Sequence, residues 1–141
     1  MKNSPPATRR HSVLTTAVTV AILAIVAVMM VFTNISVSFG ETELKLKGDI
    51  FSSAAIAYSD IAEVALRDNF APGGRSFGAS TLNVYSGTFQ NAEFGKYKNF
   101  TYKSVPQVIV VHHTGGVLVF SGEDAASTEA LYATLCKKTA G

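Results

Sequence analysis

The stretch VIVVHHTGGVLVF at residues 108–120 decides the fold of this chain. Two runs rich in valine, at residues 108–113 and 117–120, flank the short segment Thr114-Gly115-Gly116. Paired glycines tolerate the positive φ angles that tight hairpins need, and valine favours strands. The stretch therefore predicts an antiparallel β-hairpin within a mainly β fold.

The chain upstream of this hairpin has the same character. Apolar and charged residues alternate over residues 43–47, which predicts a strand ahead of a turn at Gly48-Asp49. Ser86-Gly87 is interpreted as a bulge or bend inside a strand, because glycine in a strand interior marks such irregularities. Further strands are predicted at residues 61–66, 82–89 and 100–102, and a loop is predicted at residues 68–74.

After Gly122 the apolar period changes from two residues to about 3.6, which is the period of a helix. Asp124 is predicted to cap a helix that runs to about Lys138. Leu131 and Leu135 lie four residues apart and belong to an apolar stripe that can pack on a sheet. The roughly one hundred residues from Glu41 onward suffice for one domain with a core.

Five short strings span much of this domain, in an order that is typical of one family. They are Tyr58-Ser59-Asp60-Ile61, Gly74-Arg75 followed by Gly78, Ser86-Gly87-Thr88-Phe89, Phe94-Gly95-Lys96-Tyr97 and Leu131-Tyr132. Together they resemble the bacterial pleckstrin-homology-like (PH) domain family over roughly residues 41–138. The resemblance implies a bent antiparallel barrel or sandwich of about seven strands, closed by the C-terminal helix, and a non-catalytic role in binding or assembly without a cofactor.

Residues 13–32, which begin at Val13 and end at Phe32, are uncharged and mostly apolar. With a rise of about 1.5 Å per residue the run reaches roughly 30 Å, the thickness of the hydrocarbon core of a bilayer. The run predicts one transmembrane helix, and the membrane is the first expected partner of the chain.

The charges differ on the two sides of this run. Three cations and no carboxylates precede it, whereas nine Lys or Arg and ten Asp or Glu follow it. Because cationic flanks of membrane helices stay in the cytoplasm, the N-terminus is predicted to be cytoplasmic and the domain extracytoplasmic. The prediction is a single-pass protein of the cell membrane, with a basic tail at residues 1–12, a linker at residues 33–40 and the PH-like domain at residues 41–141.

A cleaved secretory signal is the alternative reading of the same run. Ser36-Val37-Ser38 places small residues ahead of a cut before Phe39. The apolar run is longer than the usual signal core of about 7–15 residues, which favours an uncleaved anchor.

The residues that could carry chemistry predict neither a catalytic nor a metal site. His112 and His113 are adjacent on a strand, so their side chains point to opposite faces and cannot chelate one ion without a bulge. Ser86 could be joined with His113 and Asp60 as a triad, but it lacks the Gly-x-Ser-x-Gly context of a nucleophile. The single cysteine, Cys136, allows no internal disulfide and is interpreted as a small buried apolar residue. A small-ligand sensor, and a secreted or anchored enzyme without a recognisable motif, stay open as alternatives.

Arg75, Lys96 and Lys98 are the candidate partner-binding residues. Arg75 follows Pro72-Gly73-Gly74 and is predicted to lie in a loop, where recognition residues are common. An ion pair with Asp60 or Asp68 is the alternative role for Arg75. With nine cations against ten carboxylates the domain is not basic, which argues against nucleic acid. The expected partner of these cations is a protein or a second copy of the chain.

Overall fold

The computed structural model of the chain describes residues 7–32, 34–49, 52–80 and 83–140. The chain divides into two compact units, Met1–Phe32 and Thr33–Gly141. Residues 1–6 of the predicted tail, residue 33 of the predicted linker and Leu82, the first residue of the strand predicted at residues 82–89, lie outside the described residues.

The first unit contains helix α1, Ala7–Phe32, whose side chains are described for residues 12–28. Apolar side chains such as Leu14 and Leu23 are exposed on it, and the hydroxyls of Thr16 and Thr19 donate to carbonyls one turn earlier. Among the described residues, the structure contains no helix with both the length and the apolar character needed to cross a membrane. The transmembrane span at residues 13–32 therefore stays a prediction.

The second unit begins with a three-stranded antiparallel sheet in the order β1-β2-β3. Its alternation follows the sequence pattern, because Leu44 and Leu46 are buried while Lys45 and Lys47 are exposed. Residues 36–39, predicted as part of a linker, form the first strand instead, since pairing with the next strand satisfies their backbone groups. The strands are β1 Ser36–Phe39, β2 Glu43–Lys47 and β3 Ser53–Ala57.

A 3-10 turn at Tyr58–Asp60 leads into a six-stranded sheet in the order β4-β8-β9-β7-β6-β5. Neighbouring strands are antiparallel except β7 and β9, which are parallel. The strand predicted at residues 61–66 is confirmed, and a register shift between Ile61 and Glu63 interrupts its regular alternation. The strands are β4 Ile61–Arg67, β5 Gly74–Ser80, β6 Val84–Asn91, β7 Gly95–Tyr102, β8 Val108–His113 and β9 Gly116–Phe120.

The hairpin predicted at residues 108–120 is confirmed as β8 and β9. His113 pairs with Gly116, so Thr114 and Gly115 form a two-residue turn. Gly116 has φ +134°, a value that residues with a side chain rarely adopt. The local pattern was sufficient here because both strands and their turn are contiguous in sequence.

Strand β5 was not predicted, and only its first residue, Gly74, belongs to the loop predicted at residues 68–74. The strand pairs with β6, and Gly78 lies directly opposite Gly87 with left-handed φ angles of +108° and +130°. A Cβ on Gly87 would lie 2.2 Å from the carbonyl oxygen of Phe77, so the two strands approach too closely for a side chain. The bulge or bend predicted at Ser86-Gly87 was wrong, because β6 continues through both residues in regular pairing with β7, and the register shift between β5 and β6 lies between Arg75 and Phe77.

Helix α2, Ala125–Ala140, closes the domain as predicted. The Asp124 carboxylate accepts from the N–H of Ser127 over 2.7 Å and caps the helix. Leu135 is fully buried in the main core, which the two sheets and α2 form together, and Leu131 packs against that core. The mainly β fold with a C-terminal helix is thereby confirmed, with nine strands among the described residues where the resemblance implied about seven.

Candidate partner-binding cleft

A cleft of about 310 Å³ lies between β3 and the strands β7 and β9. Residues 53–56 of β3 form one wall, and Lys96 and Lys98 of β7 line the other. His113 and Gly115, from the β8–β9 hairpin, also line the cleft. We call this feature the lysine cleft.

The alternation of β7 explains why both lysines point into it. Lys96 and Lys98 are exposed, whereas Tyr97 between them is buried on the other face of the sheet. Phe100, two residues after Lys98, lies on the same face as the lysines but is fully buried in the core. The same face of β7 therefore lines the cleft at Lys96 and Lys98 and packs into the core at Phe100.

The charge of the lysine cleft is positive because its two lysines form no ion pair with a described carboxylate. In the part of the chain that the structure describes, the ion pairs join Lys45 to Glu43 and Arg67 to Glu93. Among the residues with a described position, no aspartate or glutamate lines the cleft. An anionic group that enters would meet two ammonium groups without displacing a carboxylate of the protein.

His113 contributes little positive charge at neutral pH. Burial lowers the pKa of its imidazole, and the charge of His112 lowers it further, whereas the carboxylate of Asp60 acts in the opposite direction. Its Nδ1 accepts a hydrogen bond of 3.2 Å from the N–H of Gly115, as the neutral ring can. The charge of the cleft at neutral pH is thus that of the lysines.

Arg75 lies apart from the two lysines. It is an exposed residue of β5, so the prediction that it lies in a loop was wrong. Arg75 pairs with Phe89, which pairs with Tyr97, and directly paired residues share a face. Arg75 consequently lies on the opposite face of the sheet from Lys96 and Lys98. It also forms no ion pair with Asp60 or Asp68 among the described residues.

The serine considered for a triad does not present a reactive hydroxyl. Ser86 is fully buried, and its Oγ accepts a hydrogen bond of 3.0 Å from the N–H of Asp49. The ring of His112 packs edge-on against Phe94, with 5.7 Å between the ring centroids. Within the described ranges, no three His, Cys, Asp or Glu side chains lie close enough together to hold a metal ion. Cys136 is a free thiol that is only partly buried.

The β3 wall of the cleft was missed by sequence reasoning. Residues 53–56 carry no charge and no aromatic group, and nothing in their local pattern indicates that they lie across from Lys96 and Lys98. The contact depends on how the two sheets pack. A signal that could have found it is the run of small residues at 53–55, which leaves room beside a strand edge.

A second cavity, of about 400 Å³, lies between β1 and α2. Ile35, Val37 and Leu131 give it an apolar wall, and Asp124 and Ser127 give it a polar rim. It contains none of the three predicted site residues.

Comparison with known protein families identifies the family of the domain. Residues 35–135 match the family described as the bacterial PH domain, a segment that contains all nine strands and most of α2. Neither the curated proteins nor the solved structures gave a match to the chain. Because the matched segment covers well over half of the sequence, the chain belongs to the bacterial PH domain family.

Proposed function

We propose that this chain is a non-catalytic binding protein, tethered to a membrane by residues 13–32, whose PH domain holds a protein partner in the lysine cleft. The observation that carries the proposal is the pair of unneutralised lysines, Lys96 and Lys98, beside the outer edge of β3. PH-like domains typically act as binding modules. Concave sites with a few convergent polar groups are where proteins hold ligands.

The state of Ser86 supports binding over catalysis. A nucleophile has to reach the substrate and needs a base within hydrogen-bond distance. Ser86 is fully buried, and its Oγ is engaged by the N–H of Asp49. The hydroxyl therefore has a structural role at the contact between the sheets.

The membrane tether is supported by the composition of residues 13–32 and by the exposure of the apolar side chains on α1. The run carries no charge, and the large apolar side chains described on it are all exposed, from 46% at Val26 to 64% at Leu14. Apolar side chains on every side of one helix require an apolar environment, which a bilayer supplies. The cations before the run and the near balance of charge after it support a cytoplasmic N-terminus and an extracytoplasmic domain.

The pairing of strand β1 supports the interpretation of residues 13–32 as a retained anchor over that of a cleaved signal. A cut before Phe39 would separate Ser36, Val37 and Ser38 from the domain, and these residues pair with β2. Val37 also packs against the main core. Cleavage there would remove apolar contacts and leave the backbone groups of β2 without partners.

Site-specific photo-crosslinking in native membranes tests the binding role. A photoreactive residue at Ser53, in the cleft, should give an adduct with another protein or a second copy of the chain, and the same residue at Glu129, exposed on α2, should not. The adduct should be lost in the Lys96→Glu/Lys98→Glu variant. Only uncrosslinked monomers from the Ser53 position would contradict the proposal.

Two further measurements test the tether. The full chain should stay with membranes during alkaline extraction, and protease added to intact cells should digest the domain. Release by alkali would contradict the anchor. Digestion only after lysis would contradict the orientation and place the domain in the cytoplasm.

The cavity between β1 and α2 favours a second candidate function, the sensing of a small molecule. Its volume of about 400 Å³ falls in the range of small-molecule sites. A compound that binds there should raise the unfolding temperature of the full chain. Leu131→Trp, which fills the cavity, should abolish that shift if the cavity is the site.

A further inference from the structure

We propose that the lysine cleft takes an extended, acidic segment of a partner protein, which adds to β3 as a fourth strand of the small sheet. This inference rests on the proposed function and states which chemistry the partner presents. Three features carry it: the free edge of β3, the space beside that edge, and the charge opposite it.

The pairing register decides which backbone groups of β3 face outward. The N–H of Gly48 donates to the carbonyl of Ser52 over 3.1 Å, so the backbone groups of Ser52 point towards β2. In an antiparallel ladder, residues that point towards the partner strand alternate with residues that point away from it. Even-numbered residues of β3 therefore face β2. The N–H and C=O groups of Ser53 and Ala55 face the outer edge.

This edge lacks the devices that usually prevent strand addition. Natural edge strands are blunted by charges, proline, bulges or a covering segment. β3 contains only serine, alanine and isoleucine, and its pairing with β2 is regular throughout. In the described part of the sheet β3 is a terminal strand. Its outward N–H and C=O groups thus offer the donors and acceptors that an extended chain needs.

The space beside the edge fits a backbone. The small side chains of residues 53–55 form one wall of the cleft. At the hairpin end, Gly115 and Gly116 also line the cleft and project no side chain into it. A chain that enters can therefore approach the edge of β3 without displacing a large side chain.

The charge of the opposite wall selects the segment. Lys96 and Lys98 lie two residues apart on one face of β7, and neither has a carboxylate partner among the described residues. In an added strand, every second side chain points to the same side. A segment with acidic residues at alternate positions therefore directs its carboxylates to the lysines while its backbone pairs with β3. A segment with lysines at those positions would be repelled by the ammonium groups of Lys96 and Lys98.

Peptide binding to the full chain in detergent micelles tests this inference. The probe is a short fluorescein-labelled peptide that alternates glutamate and valine, and its binding is measured by anisotropy. Replacing glutamate by lysine in the peptide should abolish binding. Methylating alternate backbone nitrogens should also abolish binding, because it keeps the charge but removes the donors that a new strand needs.

Protein variants give an independent reading. Lys96→Glu/Lys98→Glu should weaken peptide binding at least about tenfold. Lys137→Glu/Lys138→Glu makes the same change in net charge on α2 and should leave binding nearly unchanged. Ala55→Pro removes an N–H that faces the outer edge of β3 and makes no hydrogen bond to β2. The variant should bind the peptide more weakly, and its thermal unfolding checks that it still folds.

Several outcomes would overturn the inference. One is equal binding of the methylated and unmethylated acidic peptides. Another is an equal loss of peptide binding in the Lys96→Glu/Lys98→Glu and Lys137→Glu/Lys138→Glu variants. A third is competition by inorganic phosphate at the same concentration as the peptide, which would indicate a site for any anion. Failure of the peptide alongside a Ser53 photo-adduct would reject the acidic strand and leave the proposed function standing. Absence of the photo-adduct would reject the proposed function itself.

Discussion

The backbone N–H of Asp49 donates to the buried Oγ of Ser86 over 3.0 Å. This bond joins the turn between β2 and β3 to strand β6, and so connects the two sheets. Beside it, a Cβ on Gly48 would lie 1.9 Å from the same Oγ and 3.1 Å from the ring of Phe100. The sheets therefore meet where there is no room for a side chain, and this contact fixes β3 beside the lysine cleft.

Gly48→Ala should lower the free energy of unfolding by about 1–3 kcal/mol, because overpacking forces a shift in this contact. Gly74→Ala is the matched control, since a Cβ there would meet nothing within 4 Å. Urea denaturation of both variants of the full chain measures the difference. Equal midpoints for the two variants would contradict the close contact.

Gly87→Ala should destabilise the domain more than Gly116→Ala. Both glycines have left-handed φ angles, +130° and +134°, so each substitution introduces backbone strain of about 1–3 kcal/mol. A Cβ at residue 87 would in addition lie 2.2 Å from the carbonyl oxygen of Phe77, whereas the space around Gly116 is open. Thermal unfolding of the two variants separates the effect of backbone strain from the effect of the close contact. An equal drop in unfolding temperature in both variants would show that the close approach of Gly78 and Gly87 does not hold β5 and β6 together.

The parts of the fold that could be predicted are those in which a local pattern contains the whole reason for the structure. The β8–β9 hairpin has two valine-rich strands and the turn between them in one stretch. α2 has its cap at Asp124 and its buried stripe at Leu135 within one helix. In both cases neighbours in sequence are the neighbours that stabilise the element.

Strands β1 and β5 could not be predicted in this way. Both are terminal strands of their sheets, and their sequences, SVSF and GRSFGAS, are rich in serine and glycine. Their extended form depends on pairing with β2 and β6, and strand preference varies strongly with such context. One half of the candidate site could likewise be predicted and the other half could not. The charges of Lys96 and Lys98 were visible in the sequence, but the edge of β3 across from them arises only when the two sheets pack.

Tyr102→Phe should loosen the start of the domain. The hydroxyl of Tyr102 accepts a hydrogen bond of 3.0 Å from the N–H of Ile35, one residue before β1. Its loss should lower the free energy of unfolding by about 1–3 kcal/mol, because a partly buried donor is left without a partner. Tyr85→Phe is the control, since the structure shows no hydrogen bond to that hydroxyl among the described residues. Faster hydrogen exchange at residues 35–39 in Tyr102→Phe alone would confirm the role, and unchanged exchange there would contradict it.

Asp124 should make the stability of the domain depend on pH in the acid range. The N–H and the hydroxyl of Ser127 hold the pKa of the Asp124 carboxyl below its usual value of 3.8. A carboxyl whose pKa is lower in the folded state stabilises that state at pH values above its unfolded pKa, and this contribution is lost as the pH falls through the folded pKa. Asp124→Asn keeps an oxygen that can accept from Ser127 but has no charge to titrate. The native chain should therefore exceed Asp124→Asn in unfolding temperature at pH 7, and the difference should shrink below pH 3.8. Asp124→Ala, which loses the cap altogether, should stay less stable than Asp124→Asn at both pH values. A difference between the native chain and Asp124→Asn that does not change with pH would show that the helix cap does not depend on the carboxylate charge.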